Sequence, residues 1–251
     1  ELWNKAAKKM ILVGTLPPDS MDAVVLEKLA QDPSVVVLTE STSNLHHAHF
    51  LSNIDTIITP FTRTDFEAFQ PDLLLTFGGM IVSKRIKSFL RTYQPTHHWH
   101  VDSLRAYDTF GCLTEHFKVH PNIFLHALLN RWELIDSDYQ QRALEVQAVR
   151  KVKHKDYLAS IPFCDFKVFE QINKVIPEGV QLQVSNSSSI RYMQLFDWLP
   201  LITMYCNRGT SGIDGSTSTA IGAAVASKTP TVLITGDVSF FYDSNALWNN
   251  Y

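Results

Sequence analysis

Thr231-Val232-Leu233-Ile234-Thr235-Gly236-Asp237 is an apolar, β-branched run that ends abruptly in Gly-Asp. Open α/β sheets bind their ligands outside the carboxyl ends of the strands. An Asp at such an end can hold a hard cation, and Mg²⁺ in turn holds a diphosphate. Gly236 would let the backbone approach a phosphate closely. The segment therefore predicts half of a magnesium–diphosphate site, and Asn249-Asn250 is expected to lie in the helix that follows it.

The bulk properties are those of an ordinary globular chain. The 251 residues suffice for one large or two smaller domains, and a hydrophobic content of 45% supports a full core. A net charge of −3 gives no electrostatic basis for nucleic-acid binding. No apolar run approaches bilayer length, so no membrane span is expected.

The three cysteines form no metal-binding or redox spacing, which favours a reducing, cytoplasmic compartment. The residues from Glu1 to Lys5 do not have the form of a signal peptide. Because the chain lacks an initial Met and stops soon after the Gly-Asp segment, it is expected to be a fragment of a larger enzyme.

The first part of the chain alternates strand and helix signals, which is typical of a parallel sheet covered on both faces. Helices are predicted at Met21–Gln31 and Val82–Thr92, and a helical pattern runs from Asn122 to Lys153. Six strands would complete a doubly wound domain. The strand candidates are Lys9–Thr15, Ser34–Thr39, Thr56–Thr59, Leu73–Phe77, His97–Val101 and Cys112–Val119.

A second, truncated α/β unit is predicted after a boundary near Ser160-Ile161-Pro162, which gives domains at 1–160 and 161–251. Its pattern alternates three helices with three strands. The predicted helices are Phe166–Ile176, Ser188–Phe196 and Ser216–Ser227, and the strands are Val180–Val184, Thr203–Cys206 and Thr231–Thr235.

Two loops of this second unit follow a strand and precede a helix. Asn186-Ser187-Ser188-Ser189-Ile190-Arg191 fits an anion site at a helix N-terminus, or simply a serine N-cap with an exposed arginine. The loop from Asn207 to Gly215 has three glycines in seven residues beside Arg208. That density favours a ligand loop over an ordinary connection, although the Gly-x-Gly-x-x-Gly order of dinucleotide sites is missing.

Two further patterns in the first unit have both a functional and an ordinary explanation. Gly78-Gly79 leads from a strand into a helix that bears Lys84 and Arg85, which could grip carboxylates or form a solvated helix turn. Histidines cluster at 46–49 and 97–100, but no Cys or acidic partner is evident. Ordinary surface or core histidines are therefore favoured over a metal site.

Taken together, the motifs resemble those of the 2-succinyl-5-enolpyruvyl-6-hydroxy-3-cyclohexene-1-carboxylate synthase family of thiamine diphosphate enzymes. The resemblance is carried by Asn207–Gly215 with the following Ser218–Gly222, and by Gly236–Phe240 with Asp243 and Asn245–Leu247. It covers most of the chain and is strongest after Gly179.

The resemblance implies a central, transhydrogenase dIII-like domain at 1–160 and the first part of a diphosphate-binding domain at 161–251. The family decarboxylates 2-oxoglutarate on thiamine diphosphate and adds the carbanion to isochorismate in menaquinone biosynthesis. The glutamate that activates the cofactor belongs to a pyrimidine-binding domain, so no catalytic residue is assigned within this chain. A homodimer or homotetramer of the full-length enzyme is also implied.

The resemblance further implies a set of binding residues. Asp237 would bind Mg²⁺ or Mn²⁺, and Ile213 would support the bent thiamine. The substrate-binding residues would be Lys84, Arg85, Ser187, Arg191 and Arg208. The cofactor-binding residues would be Ser211, Gly212, Ile213, Gly236, Asp237, Val238 and Ser239.

Two alternatives stay open at this point. An acetolactate-synthase-like thiamine enzyme would share Gly-Asp, but the Asn207–Gly215 loop is not expected in it. A non-catalytic nucleotide-binding protein would need a phosphate loop after an early strand, and Pro17-Pro18 removes amide donors from the loop after the first one.

Overall fold

A computed structural model describes residues 1–249, and the chain forms two compact units that meet between Asp156 and Tyr157. Unit 1 precedes this point and unit 2 follows it. The point falls inside one long helix, α7 (Tyr139–Ser160). The predicted domain boundary near residue 160 lies at the end of this helix and stays a prediction.

Unit 1 is built on a six-stranded, fully parallel sheet, so the predicted doubly wound α/β fold is confirmed. Its strand order is β3-β2-β1-β4-β5-β6, which is the order of dinucleotide-binding sheets. The central strands are buried on both faces because helices cover both sides. The strands are β1 (Lys9–Val13), β2 (Val35–Thr39), β3 (Phe50–Leu51), β4 (Leu73–Phe77), β5 (His97–Val101) and β6 (Glu115–Phe117).

The helices of unit 1 connect these strands and pack two apolar clusters against the sheet, one built on Ile11 and Leu75 and the other on Leu12 and Leu74. Because alternate residues of a strand point to opposite faces, neighbouring residues contribute to different clusters. The helices before α7 are α1 (Leu2–Lys5), α2 (Ala23–Gln31), α3 (Ile54–Ile58), α4 (Arg63–Phe69), α5 (Lys84–Thr92) and α6 (Pro121–Leu129).

Three sequence predictions about local structure were wrong. The helical pattern predicted from Asn122 to Lys153 is not continuous, because residues 130–138 form a non-helical connection between α6 and α7. Thr56–Thr59 is not a strand: its first three residues lie in α3 and Thr59 is the C-cap, while the strand in this region is Phe50–Leu51. Asn249 is not helical: it follows a 3₁₀ turn at Ser244–Trp248 in extended backbone. Asn250 lies outside the described residues.

Unit 2 contains a three-stranded parallel sheet in the order β8-β7-β9. Its central strand is buried, whereas all four residues of β9 are only half-buried. The helices are α8 (Asp165–Val175), α9 (Ser188–Met193), α10 (Ser216–Ala226) and α11 (Asp237–Tyr242), and the strands are β7 (Gln181–Val184), β8 (Thr203–Cys206) and β9 (Thr231–Ile234).

Candidate functional site

The three strands of unit 2 end in register at one edge of the sheet. Val184, the last residue of β7, pairs with Cys206 on one side and with Ile234 on the other. The segments at 185–187, 207–215 and 235–239 therefore start side by side, and together they are called the strand-end cluster. Residues predicted as separate motifs thus meet at the place where open α/β sheets bind ligands.

Asn186 links two of these loops through its side-chain amide, which is 4% exposed. Its Nδ2 donates to the carbonyl oxygen of Gly212 at 3.0 Å and also to that of Ser211. Its Oδ1 accepts a hydrogen bond from Nη1 of Arg208. Nη2 of Arg208 lies 3.4 Å from Oγ of Ser211, so the guanidinium is fixed at two points. The end of β7 therefore holds both the arginine and the turn that follows it.

The cluster contains two serines with backbone conformations that L-residues rarely adopt. Ser187 has φ 76° and Ser211 has φ 64°. Such residues cost about 1–3 kcal/mol each and persist where the surrounding contacts determine them. The bonds from Asn186 provide those contacts at Ser211. The loop closes at Gly215, which has φ 72° and whose carbonyl oxygen accepts from Asn207 Nδ2 at 3.1 Å.

The Gly-Asp turn at the end of β9 is joined to the same cluster. The amide of Gly236 donates to Oγ of Ser185 at 3.2 Å, and the hydroxyl of the buried Ser239 donates to the carbonyl oxygen of Ile213. A Cβ added to Gly236 would meet no atom of residues 1–249 within 4 Å, so the space beside its backbone is open. Asp237 is exposed at the first position of α11, and its Oδ1 accepts from the amide of Val238 at 2.7 Å.

These groups fit a diphosphate and a hard cation. A glycine beside open space permits close backbone approach, the exposed Asp237 offers the oxygen ligands that Mg²⁺ prefers, and α11 begins at the same point. At this edge of the sheet, three buried polar atoms have no hydrogen-bond partner among residues 1–249. They are Arg208 Nε, Ser216 Oγ and Thr217 Oγ1. Buried groups of this kind are normally satisfied, so their presence is consistent with a polar ligand at this edge.

Of the remaining predicted site residues, Val238 belongs to the strand-end cluster, Arg191 lies outside it in unit 2, and Lys84 and Arg85 belong to unit 1. Arg191 is exposed in the last turn of α9, and no hydrogen bond joins it to the cluster within residues 1–249. Lys84 and Arg85 belong to unit 1, where they are exposed in the first turn of α5 and line a groove of about 420 Å³ with Phe66 and Phe89. Val238 is exposed beside Asp237.

The start of α5 is held firmly by a buried carboxylate that sequence reasoning did not single out. Oε1 and Oε2 of Glu40 accept from the amides of Ser83 and Val82, both at 2.7 Å. Ser83 caps the helix by accepting from the amide of Ile86 at 3.0 Å. Lys84 and Arg85 therefore project from a fixed backbone.

Sequence reasoning also assigned no role to two residues of unit 2 whose side chains connect separate segments. Asn186 was quoted within a motif but was given no role of its own. Asp243, which is buried, accepts from the backbone amide and the hydroxyl of Ser218 and so ties the segment after α11 to the start of α10. For Asn186 the available signal was a polar residue two positions beyond the buried β7. Asp243 lies nine residues beyond the half-buried β9 and had no such signal.

The histidine clusters form no metal centre in the part of the chain that the structure describes, since no group of three His, Cys, Asp or Glu residues there could hold an ion. His98 and His100 instead share the hydroxyl of Thr76, with Oγ1–Nε2 and Oγ1–Nδ1 distances of 2.9 and 2.8 Å. No helix within residues 1–249 has the length and apolar character needed to cross a bilayer.

The fold and the strand-end cluster define a parallel α/β protein whose loops gather at the carboxyl ends of its strands. Within that class, residues 2–184 match the family model described as "Middle domain of thiamine pyrophosphate". The chain belongs to this family.

Curated relatives agree with this assignment. The chain is similar to 2-succinyl-5-enolpyruvyl-6-hydroxy-3-cyclohexene-1-carboxylate synthases. The one from Flavobacterium psychrophilum is 59% identical over 249 residues, which are 99% of this chain and 45% of the relative. The synthase from Christiangramia forsetii is 52% identical over 254 residues, 99% of this chain and 44% of the relative. That from Porphyromonas gingivalis is 34% identical over 272 residues, 100% of this chain and 46% of the relative.

The resemblance predicted from the motifs is therefore confirmed. The chain spans somewhat less than half the length of the curated relatives that it matches.

Proposed function

We propose that this chain supplies the central domain, 1–160, and the first part of the diphosphate-binding domain, 161–251, of a thiamine-diphosphate-dependent synthase. The reaction decarboxylates 2-oxoglutarate and adds the resulting succinyl unit to isochorismate in menaquinone biosynthesis. The observation that supports it most is the strand-end cluster, in which Asn186, Arg208 and the Gly236-Asp237 turn meet at one sheet edge. The names of the relatives give the product of such a synthase, and the resemblance of the motifs implies the two substrates.

The Gly-Asp turn would hold the cofactor's diphosphate. Asp237 would ligate Mg²⁺ or Mn²⁺, while the backbone at Gly236, Val238 and Ser239 would face the phosphates. Ser211, Gly212 and Ile213 would contact the thiamine portion, in a loop that Asn186 and Ser239 hold in place. When bound, thiamine diphosphate supplies the electron sink for decarboxylation.

The cationic side chains would bind the substrates, since 2-oxoglutarate and isochorismate are both dicarboxylates. The guanidinium of Arg208 is preorganised for substrate binding, because Asn186 and Ser211 fix it before any substrate binds. Lys84, Arg85 and Arg191, which are exposed, would complete the set, and Ser187 would donate a hydrogen bond to substrate.

The full protein would act on these small molecules in the cytoplasm as a homodimer or homotetramer. The odd number and wide spacing of the cysteines, which favour a reducing compartment, support this setting.

The proposal is tested in the longer protein that contains this segment, with 2-oxoglutarate, isochorismate, thiamine diphosphate and Mg²⁺. Arg208→Lys loses the bidentate grip on a carboxylate and should raise the KM for a dicarboxylate on the order of ten-fold or more. Asp237→Asn should mainly weaken binding of metal and cofactor, so extra Mg²⁺ and thiamine diphosphate should restore its activity.

The two variants serve as controls for each other. If extra cofactor restored both equally, Arg208 would not be a substrate residue. If the protein turned over pyruvate but not 2-oxoglutarate with isochorismate, it would be an acetolactate-type enzyme and not the proposed synthase.

A further inference from the structure

Unit 1 has a groove of about 430 Å³ between α4 and the first half of α7. Its floor belongs to the apolar cluster built on Leu12 and Leu74, so the groove lies on that face of the unit. Ile57, Phe69 and Ala143 are members of this cluster that line the groove, and none of the sequence-predicted site residues is in the described lining. We call this space the helix groove.

The helix groove is long and narrow. Lys8 lines one end beside the start of α7, where the hydroxyl of Ser137 donates to the carbonyl oxygen of Ala7 at 2.8 Å. Arg150 lines the other end, eleven residues after Tyr139, which is about 16 Å along the helix. A volume of 430 Å³ over that length leaves a mean cross-section of roughly 27 Å². This shape suits a linear alkyl chain better than a compact ring system.

The floor of the helix groove is apolar and aromatic. Phe61 and Val146 line it, and both pack against the buried cluster beneath. Tyr139 is 4% exposed, and its hydroxyl is already used, since it donates to the carbonyl oxygen of Phe69 at 2.8 Å. The body of a ligand in this groove must therefore be apolar.

The three carboxylates in the described lining are already engaged. Their partners are Thr62 for Asp65, Arg142 for Asp138 and Gln141 for Glu145, each at 2.8 Å. The hydrogen bonds from the backbone and hydroxyl of Thr62 are the main causes that lower the pKa of Asp65, and the charge of Arg150 contributes less. Asp65 is therefore held by Thr62 more than by Arg150.

Arg150 is a cation with an unsatisfied donor. Its Nε is buried and has no hydrogen-bond partner among residues 1–249. Buried donors are normally satisfied, and a carboxylate is the acceptor that a guanidinium binds best, through two parallel bonds. Lys8, at the opposite end, already donates to the carbonyl oxygen of Ala68, although at 3.5 Å. The charge pattern of the groove is thus complementary to one carboxylate at the Arg150 end.

We propose that the helix groove binds a medium-chain fatty acid or a similar linear monocarboxylate. Its carboxylate pairs with Arg150, and its alkyl chain lies along Phe61, Val146 and Ala143 towards Tyr139. This site is separate from the strand-end cluster and does not depend on the reaction proposed above.

The site is tested by titrating the chain, labelled with ¹³C at the isoleucine δ1 methyl groups, with octanoate as the probe and 1-octanol as its uncharged match. The Ile57 resonance should shift with octanoate, whereas those of the buried Ile190 and Ile202 in unit 2 should not. From hexanoate through octanoate to decanoate, binding should tighten about four-fold for each added CH₂, because each one buries apolar surface.

Substitutions then locate the two ends of the ligand. Arg150→Gln should weaken octanoate binding about ten-fold or more, and Arg150→Lys should weaken it less, since charge-assisted bonds are the strong ones. The matched control is Arg131→Gln, an exposed arginine of unit 1 outside the groove, which should leave binding unchanged. Ala68→Trp, at an exposed position that lines the groove, should block the alkyl chain, and thermal unfolding of each variant checks its fold.

The proposal fails if millimolar octanoate leaves Ile57 unshifted, if octanol binds as tightly as octanoate, or if Arg150→Gln binds like the parent chain. It also fails if sedimentation shows a dimer that Ala68→Trp converts into a monomer, because a second copy would then cover the groove. The Ile57 shift should persist in the longer protein that contains this segment. Its loss there would mean that another domain fills the groove, which would also overturn the proposal.

Discussion

At the scale of single residues, Asn186 holds the loop after β8 through three hydrogen bonds of one side-chain amide. An aspartate has the same shape and can still accept from Arg208, but it cannot donate to the carbonyls of Ser211 and Gly212. Asn186→Asp should therefore loosen the turn, and the amides from Ser211 to Ile213 should exchange hydrogen roughly ten-fold faster, about 1.4 kcal/mol.

Asn173→Asp is the matched control for this measurement. Asn173 also lies in unit 2 and donates one bond, from Nδ2 to the carbonyl oxygen of Asp197 at 3.0 Å, but it is far along the chain from the loop. If both substitutions changed exchange at Ser211–Ile213 to the same extent, the Asn186 amide would not be what holds this turn.

His98 should make the stability of unit 1 depend on pH. Burial is the main cause that lowers its pKa from 6.5 to about 4, with a smaller effect of His100 in the same direction. Because the folded-state pKa is below the unfolded one, protonation favours unfolding. Its contribution is fully present above about pH 6.5 and should fall by about 3 kcal/mol as the pH drops to about 4.

Urea unfolding at several pH values measures this dependence. His98→Gln should flatten the dependence of the unfolding free energy on pH between pH 7 and pH 4. His97→Gln, at a half-buried position of the same strand, should leave that dependence unchanged. An unchanged slope in the His98 variant would show that other groups cause the acid sensitivity.

At the scale of elements, Glu40 connects the end of β2 to the start of α5. Glu40→Gln keeps the shape but leaves one acceptor oxygen for two buried amides. An orphaned buried amide costs about 1–3 kcal/mol, so the free energy of unfolding should fall by about 2 kcal/mol. Glu67→Gln, which breaks an exposed pair with Arg63, should cost less than about 0.5 kcal/mol. Equal losses in urea titrations would refute the role of Glu40.

Strands that form continuous apolar runs could be predicted from the sequence, whereas the two-residue strand Phe50–Leu51 and the short helix α3 could not. Leu73–Phe77 was predicted as it is found, because a buried parallel strand reads as a continuous apolar run. Thr56–Thr59 was mistaken for a strand because of its β-branched residues. Its real period is helical, since Ile54, Ile57 and Ile58 bury one face. Tertiary packing overrode local propensity there.

Part of the candidate site could be predicted from the sequence for a similar reason. Gly236-Asp237 and the Asn207–Gly215 loop follow recognisable strands, and parallel pairing brings strand ends together. The contacts between the loops could not be predicted from the sequence. The bond from Asn186 to Arg208 spans 22 residues and the bond from Ser239 to Ile213 spans 26, so both depend on strand order.

At the scale of the whole molecule, the two units should differ in local stability. Unit 1 has six strands, and β1, β2 and β4 are buried along their whole lengths. Unit 2 has three strands, and β9 lies at an edge with all four residues half-buried. Less buried apolar surface lowers the free energy of local opening. Amides of Thr231–Ile234 should therefore exchange faster than those of Leu73–Phe77 by roughly a hundred-fold, about 3 kcal/mol.

Native-state hydrogen exchange read by mass spectrometry measures this difference, on a sample shown by sedimentation to be monomeric. Strand β6 is the internal control, because it is also an edge strand with part of its surface exposed, but it belongs to the six-stranded sheet. If edge position alone set the rate, β6 and β9 would exchange alike. Slower exchange at β6 would show that sheet size matters, because each strand of a larger sheet opens only when more neighbours are disrupted. Equal protection of Leu73–Phe77 and Thr231–Ile234 in the monomer would mean that the units open together, contrary to the difference in burial.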